Sequence, residues 1–281
     1  MNAGPTPEQE RRSTHPLIGI AAEARYLAQR QPAGLVAALT RAGHPLVLLD
    51  PESAAPVSLR GMDVLVARGR SEALLDLLGR AEAAGVATVN ARAAVAAVLD
   101  KAEMARALAA AGIPSPATRV GPLDAIARAS RPEDFPMVVK PIFGDNARGV
   151  RVVSSRAELA RLPWSEPLAV AQPFIPSDGD DLKLYVAGPA VWAVKKPSPI
   201  AGRGGPARLV PATPALEALA HRCGRLFGLE LFGVDCIETP RGPVVIEVND
   251  FPNYTGIDGV DEQLARHVIG RAAARRTERP S

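Results

Sequence analysis

The chain has 281 residues, 47% apolar and 22% charged, with a formal net charge of +3. That length suits about two domains, and the composition excludes wholesale disorder, collagen-like repeats and other fibrous classes. The longest apolar run, Ala93–Leu99, falls far short of the ~18 residues that a membrane span needs.

Residues 1–15 are polar and read as a disordered tail. They contain no apolar h-region, so no secretory signal is expected. Leu17–Ala21, Pro45–Asp50, Asp63–Arg68 and Val86–Asn90 read as strands, with helices over 34–42 and 71–84 between them. This alternation predicts a parallel sheet in an α/β domain over 16–98. No Gly-x-Gly-x-x-Gly follows the first strand, so a dinucleotide fingerprint is absent. Asp100 is placed to cap a helix over 100–111, which ends at Gly112 before Pro114 and Pro116. Strands are then expected at Met137–Ile142, Val150–Ser154, Leu168–Ile175, Leu182–Ala187, Val191–Lys195, Leu231–Thr239 and Val244–Asp250. Their short, Gly- or Pro-containing connections favour antiparallel pairing. Helices over 157–162 and 214–227 interrupt them, and a last helix covers 260–276. The expected fold class is therefore an α/β N-terminal domain followed by an α+β body.

Residues 271–281 carry Arg271, Arg275, Arg276 and Arg279 against Glu278, which equals the net charge of the whole chain. This reads as a basic tail at a solvated helix end, well placed for the helix dipole. It is not the basic stripe of a nucleic-acid binder, and neither nucleic acid nor membrane is expected as a partner. Cys223 and Cys236 form no disulfide framework and no metal cluster, which fits a cytoplasmic protein. The four histidines show no ligand spacing.

Only five of the 33 basic residues are lysines: Lys101, Lys140, Lys183, Lys195 and Lys196. Where any cation serves, this chain uses Arg, so its lysines point to sites needing a compact ammonium. The segment 235–249 reads as a hairpin with Pro240-Arg241-Gly242 as a three-residue loop. Asp235 then lies opposite Glu247, and alternation adds Asn249 to their face. The other face carries Val234, Cys236, Val244, Ile246 and Val248 as a core. Two carboxylates and an amide together suit Mg²⁺; the same pattern would also serve a solvated sheet face. Lys140 ends an apolar strand before a loop framed by Gly144 and Gly149. The order is the reverse of a Walker A loop, yet its backbone N–H groups could still cover phosphates. Asp181, Lys183 and Tyr185 share a strand face. Lys195 and Lys196 precede the Gly202–Gly205 loop, where cations could hold a phosphoryl group or an anionic substrate; exposed lysines also guard sheet edges.

Taken in order, these segments resemble the ATP-grasp superfamily over about residues 99–270, with subdomains of about 99–167 and 168–270. Asp100-Lys101 and Val139-Lys140-Pro141 are similar to its two ATP-lysine segments, and Gly144–Val150 to its phosphate-covering loop. Ala171-Gln172-Pro173-Phe174-Ile175 is similar to its adenine hinge, and Phe232–Asp235 with Val245–Asn249 to its magnesium strands. Within the superfamily, the domain order and the Glu247-Val248-Asn249 ending resemble RimK-type carboxylate–amine ligases. The resemblance implies that ATP phosphorylates a carboxylate and an amine then attacks the acyl phosphate. It implies ATP contacts from Lys101, Lys140, Gly144, Asp145, Asn146, Arg148, Gly149, Gln172, Phe174, Ile175 and Asp181. One or two Mg²⁺ would sit on Asp235, Glu247 and Asn249. Lys183 would act catalytically between the γ-phosphate and the acceptor, and the catalytic Arg203 would line the acceptor pocket with Asn253 to Gly256. Lys195 and Lys196 would also meet the acceptor, a small-molecule or peptide carboxylate. A homo-oligomer is compatible with this reading. The chain carries Asp181-Leu182-Lys183 where such ligases usually carry Asp-x-Arg. Lys183, Lys196-Pro197-Ser198 and Phe251-Pro252-x-Tyr254-x-Gly256 also resemble the inositol polyphosphate kinases, so a small-molecule kinase is the alternative. A non-catalytic ATP-binding regulator is the second alternative.

Overall fold

The computed structural model describes residues 15–53, 57–144, 147–198, 200 and 205–278. The described residues up to Val89, together with those from Gly259 onward, form one compact unit; residues 90–258 form a second.

The first unit opens with β1 (Ile18–Ala22), followed by the short α1 (Ala24–Leu27) and α2 (Arg30–Arg41). Then come β2 (Leu46–Leu49), β3 (Val64–Arg68), α3 (Glu72–Ala83) and β4 (Ala87–Val89). All strand pairs are parallel, in the order β2-β1-β3-β4. β1 and β3 are buried along their whole length, which is why they read as unbroken apolar runs. Ser71 caps α3 by accepting the Leu74 N–H, and Leu74, Leu77, Leu78 and Ala81 form its buried stripe.

The second unit begins with α4 (Arg92–Leu99) and α5 (Lys101–Ala110). The sequence reading took the first of these only as an apolar run. β5 (Arg119–Gly121), α6 (Leu123–Ala129), β6 (Met137–Pro141), β7 (Arg151–Val153), α7 (Arg156–Arg161) and β8 (Ala169–Pro173) follow. Their antiparallel sheet runs β5-β8-β6-β7. Met137, Val139, Val153, Ala169 and Ala171 pack one face of it against Ile126, Ala127 and Leu159.

A second antiparallel sheet is built from β9 (Asp180–Ala187), β10 (Ala190–Pro197), β11 (Arg208–Val210), β12 (Leu231–Thr239) and β13 (Gly242–Asp250), with α8 (Pro214–Phe227) before β12. Its order is β11-β10-β9-β12-β13. Leu182, Leu184, Val186, Val234, Cys236, Val245 and Val248 bury one face against residues of α4, α5 and α8. The other face is left for chemistry.

The chain ends in α9 (Val260–Glu278), which belongs to the first unit. Its last turns are not a solvated tail. Arg275 Nε donates to the Gly85 carbonyl at 2.6 Å, and Arg276 Nε pairs with Asp63 Oδ2 at 3.0 Å. Arg275 thus binds a backbone carbonyl and Arg276 neutralises a carboxylate, so the basic cluster is partly structural. Residues 1–14 and 279–281, at the ends of the expected tails, lie outside the described residues.

Candidate active site

Strand register assembles the centre of the site. Asp235 on β12 lies between Lys183 on β9 and Glu247 on β13, and Gly233 lies between Tyr185 and Asn249 in the next row. Lys183 Nζ is 2.8 Å from Asp235 Oδ2, and Asn249 Nδ2 donates to the same oxygen at 3.4 Å. The Asp235–Glu247 pairing matches the sequence reading, but the turn does not. The loop is only Pro240-Arg241, so Thr239 pairs with Gly242 and Cys236 with Val245. A bulge beyond Cys236 absorbs one residue and restores the expected partners from Asp235 onward. It also moves the core position: Val245 is buried, whereas Val244 and Ile246 are only half-buried.

Two further lysines converge on these carboxylates. Asp100 caps α5 by accepting from Ala102 and Glu103, which sets Lys101 in its first turn. The buried Lys101 Nζ donates to the Gly144 carbonyl at 2.6 Å and lies 3.4 Å from Glu247 Oε1. Lys140 comes from the other sheet, where it shares a face with Gln172, away from the Met137–Val139 core. Burial pushes its pKa down and Lys101 repels its charge; attraction from Glu247 and Asp235 does not fully offset this. For Lys183 burial also pushes down, but Asp235 outweighs it by attraction and hydrogen bonding, and the net shift is upward. Burial raises the pKa of Asp181, against the pull of Lys183 and a hydrogen bond from Ser198.

The remaining predicted residues divide. Gln172 Nε2 donates to Thr118 Oγ1 at 2.9 Å, which fixes its amide beside the strand end. Phe174 and Ile175 follow β8 half-buried, with the Phe174 N–H bonded to the Pro136 carbonyl. Gly144, Arg148 and Gly149 are exposed in the loop between β6 and β7. Gly256, at φ 87°, packs where a Cβ would come within 3.0 Å of Ala207, close to Val194. Asn253 is half-buried on the same segment. Lys196 is exposed opposite Asp181.

Lys195 is not brought to this face. It alternates to the opposite side of β10, aligned with the core residue Leu182, and pairs with Glu238. Asp145, Asn146 and Arg203 lie outside the described residues. Sequence reasoning named Ser198 and Tyr254 only as members of motif segments and missed Thr118. It foresaw none of their contacts, among them the buried Tyr254 hydroxyl, which donates to the Val186 carbonyl at 2.6 Å, and its ring beside Tyr185. No spacing rule marks contacts that depend on loop conformation.

The donor set fits a hard divalent cation completed by a polyphosphate. Among the described residues no cluster of three His, Cys, Asp or Glu exists. Two carboxylates and an amide leave coordination positions for phosphate and water, as Mg²⁺ prefers. Three lysine ammoniums around them would balance phosphate charge.

A family model for the RimK-like ATP-grasp domain matches residues 98–270. A probable alpha-L-glutamate ligase of Thioalkalivibrio sulfidiphilus is 29% identical over 259 residues, covering 82% of this chain and 85% of its own. Another, from Xanthomonas euvesicatoria pv. vesicatoria, is 33% identical over 198 residues, 66% of this chain and 67% of its own. The crystal structure of a RimK domain ATP-grasp protein from Sphaerobacter thermophilus matches with a TM-score of 0.74 at 25% identity, over 90% of this chain and 98% of that one. Two antiparallel sheets that bring lysines, carboxylates and an amide together, and a family match over more than half of the chain, lead to one conclusion: the chain belongs to the RimK-like ATP-grasp family.

Proposed function

We propose that the chain is an ATP- and Mg²⁺-dependent ligase that joins a carboxylate to an amine, giving ADP and phosphate. The observation that carries this reading is the meeting of Lys101, Lys140 and Lys183 with Asp235, Glu247 and Asn249. The γ-phosphoryl group of ATP passes to a carboxylate oxygen, and ADP leaves with the bridging oxygen. The amine nitrogen then attacks the acyl carbon and gives up a proton. The C–O bond to phosphate breaks, and its electron pair leaves with inorganic phosphate.

Lys101 and Lys140 hold phosphate oxygens, and the loop from Gly144 to Gly149 covers them. Gln172, Phe174 and Ile175 face the base. Asp235, Glu247 and Asn249 would hold Mg²⁺, which when bound draws charge from the phosphate oxygens. Lys183 stands beside the transferring group, with Asn253, Gly256 and Lys196 toward the acceptor. No protein nucleophile is required. Both thiols are buried, and burial pushes the Cys223 pKa up to about 12 and that of Cys236 well above its ordinary value. The carboxylate belongs to a small molecule or a peptide. The proposed compartment is the cytoplasm, which supplies ATP and keeps such thiols reduced.

The test is product stoichiometry with ATP, Mg²⁺ and a fractionated small-metabolite pool. Equal ADP and inorganic phosphate with an amide condensation product are expected. ADP without matching phosphate, with a product heavier by a phosphoryl group, would replace the ligase by a kinase. Glu247→Gln is expected to lower turnover by about 10²–10³-fold, the usual loss for a preorganised electrostatic group.

A further inference from the structure

Asp235 and Glu247 do not stand in equivalent surroundings. Asp235 Oδ2 carries two donors, Lys183 Nζ at 2.8 Å and Asn249 Nδ2 at 3.4 Å. At Glu247 the nearest ammonium, Lys101, is 3.4 Å from Oε1 and directs its shorter bond, 2.6 Å, to the Gly144 carbonyl. A carboxylate oxygen that ligates a divalent cation cannot keep an ammonium at contact distance without strong repulsion. The Lys183 and Asp235 side chains are only 18% and 27% exposed, so water and salt screen that repulsion poorly.

We propose that Lys183 is a resident counter-ion of the metal site, which a divalent cation must displace from Asp235 and which, once displaced, serves the anionic group of the acceptor. The proposal rests on the reading of Asp235, Glu247 and Asn249 as metal ligands. The register keeps the freed ammonium at the site. Its neighbour across β10 is the apolar Val194, while Asp181, on the same face of β9, attracts it. Before the exchange the ammonium is held by Asp235 and unavailable to an acceptor. After it, the site carries surplus positive charge that Asp181 offsets only in part and anionic substrates offset further. Metal entry therefore precedes acceptor capture.

The experiment is Mn²⁺ titration of the full chain without nucleotide, read by the loss of free Mn²⁺ signal in electron paramagnetic resonance. Lys183→Met is expected to bind Mn²⁺ about tenfold or more tighter than the wild type, the scale of a charged hydrogen bond removed from a ligand oxygen. Lys195→Met, which removes an equal charge from the opposite face, is expected to leave Mn²⁺ affinity unchanged. A second readout needs no variant. Acetylation of Lys183, followed by mass spectrometry, is expected to rise several-fold when Mn²⁺ is added to the wild type, with Lys195 unchanged. Equal Mn²⁺ affinity in wild type and Lys183→Met, or unchanged Lys183 acetylation, overturns the counter-ion role and leaves the metal site standing. Absence of Mn²⁺ binding in every variant, even with a non-hydrolysable ATP analogue, overturns the metal site and this inference with it.

Discussion

Lys140, proposed to hold phosphate, shows what such a role costs the residue that takes it. The residue is 5% exposed, and its pKa is lowered mainly by burial. The unfolded chain, where lysine titrates near ~10.4, therefore holds this proton more tightly than the folded one. The charge costs stability below the folded pKa, and that cost fades as pH rises toward the unfolded value. Lys140→Met is expected to raise the melting temperature near neutral pH while weakening binding of a non-hydrolysable ATP analogue by calorimetry. A lower melting temperature would mean that Lys140 also carries a structural contact. The scarcity of lysine made Lys101, Lys140 and Lys183 readable before any fold was known. The pair Lys195-Lys196 before the Gly-rich loop was read as meeting the acceptor, yet strand alternation sends these adjacent lysines to opposite faces. Asn90 was read only as the end of a strand. It is 1% exposed, donates to the Leu231 carbonyl at 2.7 Å, and accepts from the Glu230 and Leu231 N–H groups at 2.7 and 2.9 Å. Its partners lie some 140 residues away, and no local pattern encodes them. Asn90→Ala leaves those groups buried and unpaired, at an expected cost of about 2–3 kcal/mol in chemical denaturation.

At the scale of elements, long strands and helices were legible because burial imposes a period on them. The α8 span of Pro214–Phe227 follows from Thr213 as cap, Pro214 in the first turn and Gly228 at φ 71° beyond its end. β5 and β11, of three residues each, bury no residue fully, so no apolar run marks them. The β12–β13 hairpin met its expected pairing by a different route, with a shorter turn and a compensating bulge at Ile246. A bulge bends its strand and re-aims the next side chain, and here that side chain is Glu247. Deleting Ile246 would keep Cys236 opposite Val245 and Asp235 opposite Glu247, so every face is preserved while the bend is lost. The deletion is expected to leave the circular dichroism spectrum unchanged. Mg²⁺-dependent turnover should fall by up to about 10²-fold, the penalty for a misplacement near 1 Å. Wild-type turnover in a folded deletion variant would show that the bulge aims nothing.

At the scale of the whole molecule, chain order and spatial order part company. The family match runs to residue 270, yet α9 packs in the first unit with elements that lie more than 170 residues earlier. The contacts are specific. Gln31 donates to Asp261 and accepts the Leu35 N–H, and Arg41 pairs with Glu262 at 2.7 Å. A Cβ on Gly34 would run into the Asp261 carboxylate, so only glycine permits this approach. Leu264 and Val268 are fully buried along the helix. Leu264→Ala leaves a cavity expected to cost about 2–5 kcal/mol, and the two tryptophans make its location measurable. Trp164 and Trp192 both lie in the second unit. Unfolding followed by tryptophan fluorescence therefore reports residues 90–258, whereas far-ultraviolet circular dichroism reports both units. In Leu264→Ala, part of the dichroism transition should move to lower denaturant while the fluorescence midpoint stays in place. If both signals moved together, the units would unfold as one cooperative structure, and α9 would support the catalytic body as well as its own sheet.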